Sequence, residues 1–84
     1  MELTKAQYEI LQGPIMRYRL TMSERYKVFN DNDEHIAKVL RNDLGINAPL
    51  PNCSSCDGLA WSEALFGDLN KLFIEYERIH QGQM

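Results

Sequence analysis

Residues 59–80 read LAWSEALFGDLNKLFIEYERIH, and the spacing of their apolar side chains decides the fold. At 100° per residue, Trp61, Leu65, Leu69, Leu72, Tyr76 and Ile79 fall in one narrow sector, and Phe66 and Phe73 widen it. A stripe of that period predicts an amphipathic helix with one buried face. Diametrically across from Leu65 lies Ile74, with Ala60, Ala64 and Gly67 on the same outward side. Small residues beside an exposed isoleucine let another helix approach closely, which makes these four candidate partner-binding residues. The competing reading is a singly exposed Ile beside neutral filler.

Upstream, residues 46–57 (INAPLPNCSSCD) break the helical pattern and read as a loop, because Pro49 and Pro51 force extended backbone on the residues before them. Before that loop, Ile36, Val39, Leu40 and Leu44 give a shorter helix its expected buried side. Asn32 or Asp33 is the expected N-cap, Gly45 the left-handed C-terminal cap and Ile46 its hydrophobic partner. The short polar side chains of Asn30 to Asp33 favour a turn.

The first third of the chain carries a second long stripe, Tyr8, Leu11, Ile15, Tyr18, Met22, Tyr26 and Phe29, in steps of 3 and 4. The stripe stays in phase across Gly13-Pro14, so the segment reads as one long kinked helix over about 4–29, capped by Thr4, or as two helices meeting at Pro14. Ile10, Met16, Leu20 and Val28 lie off this stripe, which leaves the segment apolar around much of its circumference. Arg17, Leu20 and Arg25 are its candidate partner-binding residues, since arginine and large side chains anchor interfaces. The expectation is therefore an all-α, compact three- or four-helix bundle with a long kinked N-terminal helix and a Pro/Cys-containing loop before the C-terminal helix. The 84 residues form a single domain, 1–84.

Composition narrows the function classes. Lys plus Arg is 9, Asp plus Glu is 12, and the net charge is −3. A phosphate-binding surface normally brings a basic balance, so the total argues against nucleic acid. Residues 14–29 nevertheless carry Arg17, Arg19, Arg25 and Lys27 against Glu24, whereas 30–44 and 57–80 are acidic. Either the basic segment complements the acidic ones within the fold, or it meets an external anion. No stretch is apolar enough to span a bilayer, and the first residues lack a signal-peptide layout. Cytoplasmic, reducing surroundings are the expectation.

Cys53-Ser54-Ser55-Cys56 is the most specific chemical motif. A C-x-x-C turn can place two sulfurs on zinc, but strong zinc signatures hold two such pairs, and His35 and His80 stand at no recognised spacing from it. Thiol redox chemistry usually needs βαβ units, and none is legible here. Small, semi-buried thiols packed on the bundle are the favoured reading, with no cofactor and zinc as the alternative. No Ser-His-Asp order, calcium loop or glycine-rich phosphate loop stands out. Residues 36–46 resemble the first helix and turn of helix-turn-helix proteins, but Pro49 and Pro51 would break the recognition helix that must follow. The expected function is a small, non-enzymatic helical module that regulates, inhibits or assembles a larger protein or self-associates. A zinc or redox domain using Cys53 and Cys56, and nucleic-acid or nucleotide binding through 14–29, are the alternatives.

Overall fold

The computed structural model describes residues 2–47, 49–50 and 58–81. Thr4 has extended backbone and opens the first helix, α1 (Lys5–Glu24). The Gln7 amide donates to Thr4 Oγ1 at 3.1 Å, and the Thr4 amide donates to Gln7 Oε1 at 2.9 Å. This reciprocal capping box satisfies two of the donors a helix start leaves open. α1 then continues through Pro14 as one helix, which removes the two-helix alternative. A proline inside a helix forfeits a hydrogen bond and costs about 3 kcal/mol. Here Pro14 is buried, and Leu11, Ile15 and Tyr18 keep the core stripe in phase on both sides of it, so packing offsets the local loss.

α1 stops at Glu24, not at residue 29. Arg25 is left-handed (φ 67°) and its amide donates to the Thr21 carbonyl at 2.8 Å. Thr21 Oγ1 donates to the Arg17 carbonyl at 2.8 Å and accepts the amides of Val28 (2.9 Å) and Phe29 (3.4 Å). One fully buried hydroxyl therefore turns the chain back on the helix it has just left. The turn carries Phe29 into the core at 2% exposure and leaves Tyr26 63% exposed, so Tyr26 is not a core residue as its phase on the stripe implied. Replacing Thr21 by Val keeps the shape but strands those two amides. Thr21→Val is expected to lower stability by about 1–2 kcal/mol in urea unfolding, with Thr21→Ser close to wild type.

The second helix, α2 (Asp31–Asp43), is capped by Asn30, two residues before Asn32 and three before Asp33. Asp33 occupies the third helical position, where it completes a second capping box: its amide donates to Asn30 Oδ1 at 2.8 Å, and its carboxylate accepts the Asn30 amide at 3.1 Å. The buried side of α2 is Asp33, Ala37, Leu40 and Arg41, with Ile36 and Leu44 half-buried and Val39 43% exposed. Val39 thus leaves the expected buried face because two charged residues occupy it. At the far end, the Gly45 amide donates to Asn42 and the Ile46 amide to Arg41, with Gly45 at φ 72°. This is a Schellman cap, and Ile46 packs against the core as its hydrophobic closure.

The third helix, α3 (Gly58–Gln81), follows the sequence expectation closely. Leu65, Phe66, Leu69 and Phe73 are buried, and Trp61, Leu72 and Tyr76 pack partly against them. The described residues hold three helices and no strand, and each helix packs on the other two. The Tyr18 ring lies 5.4 Å from Phe66, and Phe29 meets Phe66 edge-on at 5.0 Å. Tyr8 stacks between Phe73 (4.5 Å) and Tyr76 (4.4 Å), and its hydroxyl donates to Glu77 at 3.0 Å. Among the described residues no buried side-chain nitrogen or oxygen lacks a partner.

Candidate interaction faces

Two outward helix faces carry what the core does not absorb. On α1, Ile10, Met16 and Leu20 are 50%, 57% and 47% exposed. Gly13 lies between them, and Arg17 reaches back across it: a Cβ at Gly13 would stand 2.8 Å from Arg17 Nη2. That path delivers the guanidinium to Asp33, where Nε and Nη2 donate to the two carboxylate oxygens, the second at 2.7 Å. The paired guanidinium holds the Asp33 carboxyl below its usual range, outweighing the desolvation that would raise it. Arg17 is thus committed to the fold.

Arg19 and Lys27 of the basic segment also make contacts within the fold. Arg19 donates to Asn70 Oδ1 at 3.2 Å and lies over the Phe73 ring. Lys27 pairs with Asp31 at 3.7 Å and covers Phe29. Arg41 of α2 is buried, donating to the Ala64 carbonyl at 3.0 Å and approaching Asp68 at 3.9 Å. These contacts support the complementary reading of the charge segregation. Arg25, held at the left-handed end of α1, and Leu20 are exposed.

On α3, Ala60 is exposed, Ala64 and Gly67 are half-buried, and Ile74 is 48% exposed. A shallow groove here is lined by Ala64 and Gly67 together with Tyr18 and Pro49. In contrast to Gly13, Gly67 is open: a Cβ there would meet only Glu63 Cγ, at 3.8 Å. Glu63 and Lys71 flank the groove, both exposed and in no ion pair among the described residues. Burial raises the Tyr18 phenol above its ordinary pKa, and nearby Glu63 adds to the shift.

No family model, curated protein or solved structure matches the chain. The faces are therefore read from their own chemistry. Among the described residues no cluster of three or more His, Cys, Asp or Glu is placed to hold a metal ion. Cys53 and Cys56, with Pro51 and the 82–84 tail, lie outside the described residues. His35 is exposed on α2, and His80 stacks on Tyr76 at 4.0 Å. No helix among the described residues is long and apolar enough to cross a membrane.

The sequence reading missed Glu63 and Lys71, and also a pattern that the two faces share. Ala6, Glu9, Gly13, Arg17 and Leu20 on α1 have the same spacing as Ala60, Glu63, Gly67, Lys71 and Ile74 on α3. Because the stripes that position the core differ in residue type, the match shows only when the outward positions are compared alone. The structure separates the two copies of the pattern. On α1 the cation folds over its glycine onto Asp33, whereas on α3 the glycine stays open and the cation stays at the surface.

Proposed function

We propose that this chain is a small, non-enzymatic interaction module: a compact helical bundle, bent at Pro14, that regulates, inhibits or helps assemble a larger protein through its outward helix faces. The observation carrying this reading is the exposure of Ile10, Met16 and Leu20 on one face of α1, which the chain's own core does not cover. Scattered apolar residues are ordinary on a surface, but three large ones grouped on one helix are the material of a docking face. Tyr26 adds an exposed aromatic ring just beyond the end of the same helix.

Leu20→Glu tests the reading. The position is solvated in the monomer, so folding stability should stay within about 0.5 kcal/mol of wild type. Affinity for a partner captured by the wild-type chain should fall by tenfold or more, which corresponds to about 1.4 kcal/mol. Undiminished capture by Leu20→Glu and by Met16→Glu would remove α1 from the interface.

A further inference from the structure

We infer that the outward face of α3 docks a second copy of this chain, the two α3 helices lying antiparallel with Gly67 at the twofold axis. The inference rests on the interaction-module reading and names the occupant of one of its faces.

Ala60 and Ile74 stand seven residues either side of Gly67, and Glu63 and Lys71 stand four either side. In an isologous antiparallel pair, a residue before the centre lies level with its counterpart after the centre on the other copy. Ile74 of each copy then comes level with Ala60 of the other, so a large side chain meets a small one and the helices can pack closely. Glu63 of each copy comes level with Lys71 of the other, giving opposite charges on both sides of the axis. A parallel pair in register would set Lys71 against Lys71 and Glu63 against Glu63. The charges thus select the antiparallel arrangement.

The surface is also available. Ile74 is 48% exposed, a Cβ at Gly67 would meet only Glu63 Cγ at 3.8 Å, and neither Glu63 nor Lys71 is used in an ion pair among the described residues. The matching face of α1 fails the same tests, because Arg17 covers Gly13 and is spent on Asp33. One helix face is a small interface, so the expected dissociation constant is on the order of 10–100 μM.

Sedimentation velocity of the full chain from about 10 μM to 1 mM, spanning that range, provides the test. The wild type should pass from monomer to dimer and stop there. Glu63→Lys alone, and Lys71→Glu alone, should each weaken self-association by about tenfold, with circular-dichroism melts unchanged. An equimolar mixture of the two variants should recover the dimer, because each chain then supplies the charge the other has lost. The doubly reversed chain should recover it as well, which keeps the test valid should Glu63→Lys disturb neighbouring Tyr18. A wild type that remains monomeric, a dimer indifferent to these reversals, or growth beyond dimer would each overturn the inference. The last outcome would point to a head-to-tail contact between α1 and α3. Only that last outcome would involve the α1 face, which Leu20→Glu probes separately.

Discussion

Phe66→Ala is expected to remove about 3–5 kcal/mol of folding stability, the largest loss from any single substitution proposed for this chain. Phe66 has no exposed surface. Its ring joins three parts of the molecule: it belongs to α3, faces Tyr18 of α1 at 5.4 Å, and receives the edge of Phe29 from the α1–α2 turn at 5.0 Å. Phe29 in turn stacks on Trp61 at 6.0 Å. Truncation removes the buried transfer energy and leaves a cavity that rigid aromatic neighbours fill poorly. It also removes two ring–ring contacts worth about 0.5–1.5 kcal/mol each. At roughly 0.05–0.15 kcal/mol per residue, a chain of 84 residues has about 4–13 kcal/mol in total. The variant should therefore melt more than about 12 °C below wild type, or not fold at all, since each kcal/mol is worth about 4–8 °C at this size. Phe66→Leu, which fills most of the volume, should fold and lose under half as much. Ile74→Ala, at a half-exposed site, should stay within about 0.5 kcal/mol. A Phe66→Ala chain as stable as Ile74→Ala would show that the core does not centre on this ring.

The sequence made α3 legible because every large residue on its buried face is apolar, so the stripe and the interior coincide. α2 was legible as a helix but not in its rotation. Asp33 and Arg41 occupy buried positions that a hydropathy pattern assigns to water, and this moved the expected face toward Val39. The end of α1 was hidden for a related reason. The residue that stops the helix is Thr21, whose hydroxyl acts on amides seven and eight positions downstream, and no local turn motif marks it. At the candidate faces, helical phase set Ala60, Ile74 and Leu20 outward and they are exposed, whereas Ala64 and Gly67, given the same outward side, are half-buried, because phase is a property of a single helix and burial is not. Periodicity could not show that Arg17 is committed to the fold, since its partner sits sixteen residues away on another helix. Polar side chains used in the interior are the common cause of each departure. Their partners are fixed by tertiary approach, and single-helix patterns do not contain that information.

Asp33→Ala is expected to lower stability by about 2–3 kcal/mol, and the loss should depend on pH. Asp33 is fully buried and does two jobs at once: it closes the α2 capping box with Asn30 and accepts both donors of Arg17 from α1. A capping residue is worth about 1 kcal/mol, and a hydrogen bond to a charged group about 1.5–3 kcal/mol. The expected loss lies at the low end of their sum and below the 3–5 kcal/mol typical of breaking a buried pair. The reason is that the Arg17 side chain is 40% exposed, so water can take up its charge when Asp33 is gone. Arg17→Met leaves the carboxylate as the stranded partner, and it cannot rehydrate in place. The double variant should therefore be more stable than the sum of the single losses implies, with a coupling of about 1 kcal/mol or more. The sign of the pH effect follows from the lowered carboxyl pKa. In the window between the depressed folded value and the ordinary unfolded value near 3.9, the unfolded chain binds the extra proton, so stability rises with pH. The Asp33 contribution is fully present above that window and is lost as the pH falls through it. Wild type and Asp33→Asn unfolded in urea at pH 7 and at pH 3 should thus differ most at pH 7 and converge toward pH 3. A stability gap that is constant across that range would mean the Asp33 charge does not join α1 to α2.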